Sequence, residues 1–315
     1  MKKIVVLGPN PAWQKTLTFP RLIPGEVNRA ATLKECASGK GVNFCRAACL
    51  HGKAEPHLIQ FTGGANGNFL NEALNTEAQF PFVSIATAAP TRCCITCLNE
   101  EGKETTELIE PSFAATADEV SAFLAAVQQE LPNSSGLALC GSLPGATDET
   151  LYAQAARLAA GYNVPVIADC CFNLDGLMAS GADIILKINA GELKKLSGEH
   201  TVSDGMAKLF SSYNNLRFCA VTNGAGNAFA SDGKQVAEYI IPTLENVVNP
   251  IGCGDTASAS FSGELADGTD LFEAFRRALG CACANCLTPQ PGDFSPEAAQ
   301  KIISKITIKT FYKKD

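Results

Sequence analysis

The stretch Asn249-Pro250-Ile251-Gly252-Cys253-Gly254-Asp255-Thr256-Ala257-Ser258-Ala259-Ser260-Phe261 decides how the rest of the chain is arranged. A β-rich run ends just before it, and an apolar helical pattern begins inside it. Gly252 and Gly254 flank the small Cys253. Glycines let a backbone take positive φ and approach a ligand with no Cβ in the way. The first N–H groups of a helix have no partner inside it and carry the positive end of its dipole. Such a turn is suited to holding anionic oxygens. Asp255 stands at the same helix start. Its carboxylate is either a helix cap or a base, one that takes a proton from a hydroxyl while the amides stabilise charge on a phosphoryl group. The turn is not a P-loop, because no Gly-Lys-Ser/Thr follows four spacer residues.

With 315 residues, 46% of them hydrophobic and 18% charged, the chain can bury a full core as one large α/β unit. The net charge of −7, with no Lys/Arg stripe, argues against a nucleic-acid or membrane surface. Basic residues that bind phosphate are then few and placed one by one. The apolar run within Met1 to Gly8 is too short for a signal peptide and reads as a first buried strand. No run reaches the roughly 18 apolar residues of a membrane span. The expected location is cytoplasmic. Two CxxC pairs, Cys94/Cys97 and Cys283/Cys286, lie far apart and lack the compact spacing of a zinc ribbon. Cys140, Cys170, Cys171, Cys219 and Cys281 fall where a small buried hydrophobe fits.

Outward from the central stretch, the chain divides into two patterns. Gln14 to Phe19 and Asn28 to Cys36 alternate polar and apolar residues, and Arg92 to Leu98 with Thr105 to Ile109 reads as a hairpin. These half-exposed segments suit a small sheet outside the main one. Elsewhere strands and helices alternate. Ser38-Gly39-Lys40-Gly41-Val42-Asn43 opens a helix that ends at His51-Gly52, and its Lys between glycines is a second candidate anion site or a solvated turn. Leu58 to Phe61 and Phe80 to Ala86 read as strands, with a helix from Asn68 between them. Later strands run over Gly136 to Cys140, Val164 to Asp169, Asp183 to Lys187 and Arg217 to Thr222, with helices over Asp118 to Glu130, Asp148 to Ala160 and from Asn189. A hairpin turns at Ser231-Asp232-Gly233, and helices near Asp270 to Cys286 and Pro296 to Lys305 close the chain. Repeated βα units imply a parallel sheet with right-handed crossovers, whose ligands bind beyond the carboxyl ends of the strands. Arg92, Ser142, Asp169, Lys187, Asn189, Thr222 and Gly224 all fall at or just after strand ends, which favours the base reading of Asp255.

With these residues in hand, the chain resembles the ribokinase-like (PfkB-type) carbohydrate kinases, in the branch containing 1-phosphofructokinase and tagatose-6-phosphate kinase. The resemblance covers nearly the whole length. It rests on Asn10-Pro11-Ala12, Pro24 to Arg29, Gly39 to Asn43, Gly63-Gly64, Gly141-Ser142-Leu143-Pro144, Lys187-Ile188-Asn189 with Glu192-Leu193, Thr222 to Gly224, and Asn249 to Asp255, in that order. It implies a doubly wound, mostly parallel α/β sheet with helices on both faces, as a single unit over 1–315. It also implies a small β-sheet lid built from segments near 14–20, 28–37 and 92–109, through which two copies pair as a homodimer.

The resemblance further implies transfer of the γ-phosphate of ATP to a hydroxyl of a sugar phosphate, of the fructose 1-phosphate or tagatose 6-phosphate type. Asp255 would be the base, and the amides of Gly252, Cys253 and Gly254 the anion hole. Lys187, Asn189, Glu192, Thr222 and Gly224 match nucleotide positions, with Glu192 reaching Mg²⁺ through water; a potassium ion is left open. Gln14, Gly39, Lys40 and Asn43 match sugar positions, and Arg92, Lys40, Ser142 and Arg29 match positions that hold the sugar phosphate. Arg29 is equally a surface ion-pair residue of the lid. The chain departs from the pattern at Gln14, where the branch has Asp, and at Ser38, Ile188, Asn223 and Cys253, where Gly, Pro, an apolar residue and Ala are usual. Two readings stand beside the main one: a kinase of a free sugar or nucleoside, and a sugar- or nucleotide-binding relative with weakened catalysis.

Overall fold

From Ile4 to Leu7, strand β1 (Lys2–Leu7) is apolar without interruption, and both faces of that part are covered. Ile4 and Val6 enter one hydrophobic cluster while Val5 and Leu7 enter the other. That is the pattern of a central strand in a parallel sheet with helices on both sides. A computed structural model gives the architecture and describes residues 1–77 and 79–312; the last three residues of the expected 1–315 unit lie outside the described residues.

After β1 come β2 (Ala12–Phe19), β3 (Thr32–Ser38), α1 (Lys40–His51), β4 (Ala54–Thr62), α2 (Gly64–Glu77) and β5 (Phe82–Ala86). The hairpin β6 (Arg92–Asn99) and β7 (Glu104–Ile109) follows. Alternation then resumes with α3 (Ala117–Glu130), β8 (Ser134–Cys140), α4 (Leu151–Gly161), β9 (Val166–Asp169), α5 (Leu174–Met178) and β10 (Ile184–Asn189). The chain continues through α6 (Ala190–Ser197), α7 (Val202–Ser212), β11 (Leu216–Thr222), β12 (Ala228–Ser231) and β13 (Gln235–Ile240). It ends with α8 (Cys253–Ala266), α9 (Leu271–Asn285), α10 (Pro296–Ile303) and β14 (Thr307–Tyr312).

Ten strands form the main sheet in the order β14-β13-β12-β11-β10-β9-β8-β1-β4-β5. Pairing is parallel from β5 to β11 and antiparallel from β11 outward. The chain runs one way from β1 through β4 to β5 and the other way from β8 to β11. The strand order therefore reverses beside β1, and a crevice opens beyond the carboxyl ends there. Four further strands form a separate sheet in the order β3-β2-β6-β7, as the alternating segments suggested. Its register pairs Ala12 with Arg92, Gln14 with Cys94, Cys94 with Ile109, and Thr96 with Glu107. Side chains alternate in strands, so Gln14, Arg92, Cys94, Glu107 and Ile109 share the face turned to the crevice.

Three expectations change. The second small-sheet strand begins at Thr32, not Asn28, because the Asn28 side chain closes a turn instead. Its amide bonds the N–H and C=O of Ile23, each at 2.8 Å, and the Glu26 carbonyl at 3.0 Å. The helix expected from Asn68 begins at Gly64, where glycines at 63, 64 and 67 read as loop. The chain closes on strand β14 rather than a helix, extending the antiparallel edge beside β13. Helix α7, which the sequence reading left out although Val202, Met206, Leu209 and Phe210 recur at helical spacing, is capped by Thr201, and Gly205 lets it lie against α6, where a Cβ would come 3.0 Å from Leu193.

Gly8 and Gly41 fix where α1 starts relative to β1. A Cβ on Gly41 would stand 2.6 Å from the Gly8 Cα, backbone that cannot swing away. Gly41→Ala is therefore expected to cost about 1–3 kcal/mol. Gly161→Ala, where a Cβ meets nothing within 4 Å, is expected to be neutral or to stabilise by up to about 1 kcal/mol. Thermal denaturation of the two variants side by side checks the contrast.

Candidate active site

A cleft of about 600 Å³ lies between the small sheet, the ends of β9 to β11 and the start of α8. That is the size of a small-molecule site. The turn before α8 shapes one wall. Gly252 has φ +82, and a Cβ there would meet Pro291 at 2.7 Å, so the position takes only glycine. A Cβ on Gly254 would approach the Lys187 Nζ at 3.1 Å. The residues of this turn line the cleft, no side chain caps the helix start, and the Cys253 N–H reaches back to the Pro250 carbonyl at 3.4 Å.

Asp255 is buried, with 7% of its surface exposed, and does not cap the helix. Its Oδ2 instead accepts a hydrogen bond of 2.8 Å from Asn43 Nδ2, on the first turn of α1. The Asn43 Oδ1 is buried with no partner among the described residues. Burial, then the neighbouring Asp169, pushes Asp255 up to about 6, against Lys40, the Asn43 bond and Lys187.

Asp169, at the end of β9, is the hub beneath it. Lys187 Nζ donates to its Oδ2 at 3.1 Å and to the Gly254 carbonyl at 3.0 Å. Ser258 Oγ donates to the same Oδ2 at 2.8 Å, and Lys40 Nζ to Oδ1 at 3.3 Å. Burial acts to raise the Asp169 pKa, but the two lysines and the hydrogen bonds outweigh it and hold it below the ordinary carboxylate value. Partial burial works against the charge of Lys40, and the carboxylates of Asp169 and Asp255 overcome it, so its pKa is raised. Sequence reasoning placed Asp169 at a strand end without giving it a role. A buried carboxylate between two lysines more than a dozen residues away is invisible until the strands are paired.

Of the other singled-out residues, Gln14, Gly39, Arg92, Asn189, Glu192, Thr222, Gly224 and Cys253 also line the cleft. Gln14 Nε2 donates to Thr96 Oγ1 at 2.9 Å and to the Lys15 carbonyl at 3.2 Å. Arg92 donates to the Asn10 carbonyl at 3.2 Å, and its Nε is buried without a partner among the described residues. Asn189 and Glu192 cap α6 reciprocally, each side chain accepting from the other's N–H at 2.9 and 2.8 Å. Thr222 Oγ1 lies 3.5 Å from the Ile188 carbonyl. The fold does not bring two candidates to the cleft. Ser142 is exposed and outside the lining, linked to Arg92 only through Asn10, whose Nδ2 donates to it at 3.1 Å. Arg29 is exposed in the loop between β2 and β3, away from the lining residues. Glu107, Ile109 and Cys94, which sequence reasoning left unassigned, do line it; the two-residue alternation of the small sheet was their signal.

No helix among the described residues is long and apolar enough to cross a membrane. Phosphofructokinase-2 from Escherichia coli, solved in complex with potassium, superposes with a TM-score of 0.87 at 23% identity, over 97% of this chain and 99% of that one. Its complex with fructose-6-phosphate gives 0.84 at 23% identity, over 97% and 99%. A Thermotoga maritima protein described as a possible 1-phosphofructokinase gives 0.87 at 18% identity, over 98% and 99%. These likenesses establish the fold. The family model for pfkB carbohydrate kinases matches residues 1–298, so the chain belongs to the pfkB family of carbohydrate kinases and is a sugar phosphotransferase.

Proposed function

We propose that the chain transfers the γ-phosphoryl group of ATP to a hydroxyl of a ketohexose phosphate, of the fructose 1-phosphate or tagatose 6-phosphate type. The observation that carries the reading is Asp255: a buried carboxylate at a helix start that caps nothing, beside uncapped amides and two lysines. Its Oδ accepts the proton of the acceptor hydroxyl, and Asn43 holds the carboxylate in line. The freed oxygen bonds the γ-phosphorus as the bond to ADP breaks. The amides of Gly252, Cys253 and Gly254 receive the charge that spreads over the phosphoryl oxygens. Lys187, anchored by Asp169, adds a fixed positive charge beside them.

The nucleotide residues of the reading are Lys187, Asn189, Glu192, Thr222 and Gly224. The glycine turn before α8 is the kind of donor set that fits phosphate oxygens, and the Glu192 carboxylate in the same cleft is the kind of group that fits a hydrated divalent cation. Magnesium bound with ATP screens phosphate charge; Glu192, through water, is the residue assigned to it. Potassium, left open by the resemblance, gains support from the E. coli relative, which was solved in complex with it. Arg92 is assigned to the phosphate of the sugar, since it lines the cleft and, among the described residues, only its Nη2 is bonded within the chain. Gln14, Gly39 and Lys40 are assigned to the sugar itself. The small sheet is read as a lid on a single unit, and as the pairing surface of a homodimer. Leu33 and Leu108, about half exposed on it, support that.

Asp255→Asn is expected to leave ATP affinity nearly unchanged and to lower turnover at least ~10²-fold. In the wild type, kcat/KM is expected to fall below about pH 6 as the carboxylate protonates. The same shift has a stability sign. A carboxylate whose folded pKa lies above its unfolded one stabilises the fold below about pH 4, and that contribution is lost as pH rises through about 6. The Asn variant is thus expected to be more stable than wild type at pH 8, by up to roughly 3 kcal/mol, with the gain gone at pH 4. Steady-state kinetics and denaturation across pH check both; unchanged turnover would remove Asp255 from the base role.

An ADP-release screen over sugar phosphates and free sugars tests the acceptor. Arg92→Ala is expected to raise KM for the sugar phosphate at least ~10-fold and KM for ATP far less. Equal effects on both, or turnover with free sugars alone, would discard the phosphate clamp.

A further inference from the structure

A second pocket, of about 220 Å³, lies between α1, the end of α2 and the loop through Gln290, Gly292 and Asp293. It shares no lining residue with the cleft. Its volume is that of about seven waters at ~30 Å³ each, enough for a molecule of about nine heavy atoms. Leu74 and Phe80 give it an apolar wall, and Leu50 beside them is left 41% exposed. Three charges line it as well: Arg46 on α1, Glu77 at the end of α2, and Asp293 in the loop. Among the described residues no ion pair joins Arg46 to either carboxylate. Only its Nη2 is bonded, to the Ala37 carbonyl at 2.8 Å, and its Nη1 is buried without a partner. A guanidinium drawn out of water and left unpaired is costly. We propose that this pocket binds a free α-amino acid with an aliphatic side chain, as an effector of the neighbouring cleft.

The balance of charge selects the ligand. A simple anion here meets one cation and two carboxylates. A simple cation meets the guanidinium. A molecule with both a carboxylate and an ammonium answers all three groups: its carboxylate accepts from Arg46, and its ammonium donates to Glu77 and Asp293. The apolar wall takes an aliphatic side chain out of water. A free amino acid carries the three features on one carbon. A peptide chain end carries the carboxylate or the ammonium, never both there.

The walls of the pocket are also the supports of the cleft. Asn43, which bonds Asp255, precedes Arg46 by about one turn of α1. Gly292 lies against that same turn, where a Cβ would come 2.5 Å from the Asn43 carbonyl oxygen. Pro291, between two lining residues, lies against Gly252. Lys34 Nζ, from β3, reaches the Gln290 Oε1 at 3.2 Å. A ligand spanning Arg46 and Asp293 adds a tie between the loop and α1. It therefore favours the arrangement in which the loop is seated on both Asn43 and Gly252. A ligand shifts an equilibrium only by binding one state better, and this one bridges the pocket only when the loop is seated.

The effect on the cleft rests on the cradle reading above; the binding itself does not. The test is calorimetric titration of the full-length protein with L-leucine, first without nucleotide. Saturable binding with Kd at or below about 1 mM is expected, and no saturation by about 10 mM overturns the site. Leucinamide, which lacks the carboxylate, and N-acetylleucine, which lacks the ammonium, are each expected to bind at least ~10-fold more weakly. Glycine, without the side chain, is expected to bind more weakly too. Any of the three binding as well as leucine, or inorganic phosphate binding better, overturns the choice of ligand. Arg46→Met and Glu77→Gln are expected to weaken leucine at least ~10-fold and ~3-fold. Undiminished binding in either folded variant overturns the placement; should Arg46→Met not fold, Glu77→Gln decides it. Repeated at saturating ATP and magnesium, the titration is expected to show leucine at least ~3-fold tighter, and leucine tightens ATP by the same factor. Equal leucine affinity with and without ATP overturns the coupling. The titration without nucleotide does not depend on turnover, so a wrong acceptor or base assignment leaves it standing.

Discussion

The Asp169 carboxylate is what the cleft is built on. It is almost wholly buried, and an ion in that position is costly unless paired and hydrogen-bonded. Three donors from three elements meet that need: Lys40 from α1, Lys187 from β10 and Ser258 from α8. In satisfying it, they bring those elements together at one point. Lys187 then has a proton left for the Gly254 carbonyl, which ties the start of α8 to the end of β10. The two carboxylates diverge for one physical reason. Asp169 takes the cations and is held low, while Asp255, buried beside it with fewer donors, is left high. A low, ionised group that positions and a high, titratable group that exchanges protons is a pairing found where proton transfer is needed.

Backbone contacts fix the rest. Gly252 lies against Pro291, Gly39 against Pro11, and Gly41 against Gly8, with a Cβ at any of these coming within 2.6–2.8 Å of a neighbouring atom. Asn285, fully buried, holds the Pro291 loop in place through Gln290 and Asp293 carbonyls and accepts from Thr256 on α8. The cradle is thus clamped from both sides, by a lysine at its inner face and by a loop at its outer one. A preorganised donor set of this kind costs no rearrangement when charge develops against it.

Much of this was legible in the residues. β1 announced a parallel sheet because Ile4 to Leu7 offers no polar face. The small sheet was visible in the alternation of Gln14 to Phe19, and the cradle in the glycines around Cys253. What escaped was whatever depends on contacts distant in sequence. Asp169 needed the pairing of β9 with β10 before its two lysines could be seen to converge. Asn28 looked like strand because its side-chain turn mimics alternation. Ser142 and Arg29 matched motifs, yet only the path of their loops decides where they point, and loops carry no period. Glu107 was concealed in the opposite way: it read as a solvated hairpin residue, and only the register with Thr96 turned it inward.

The charge balance of the cleft bears on what it recognises. Lys40, Lys187 and Arg92 face Asp169, Asp255, Glu107 and Glu192, so the lining carries more carboxylates than cations. The chain as a whole is acidic as well, at −7. An anionic substrate gains little here from the general field, which points the wrong way. In the proposed reaction it is held by directed donors: amides at Gly252 to Gly254, the Arg92 guanidinium, and the lysine ends not consumed by Asp169. Gln14 fits this economy of charge. Where the resemblance implies a carboxylate, this chain has an amide already bonded to Thr96, and the lid carboxylate that lines the cleft is Glu107, in register with Thr96. The carboxylate that the lid turns to the cleft stands on β7, while β2 presents the Gln14 amide. In the proposed reaction, such a shift leaves phosphoryl transfer intact and changes which sugar hydroxyl the lid can grip.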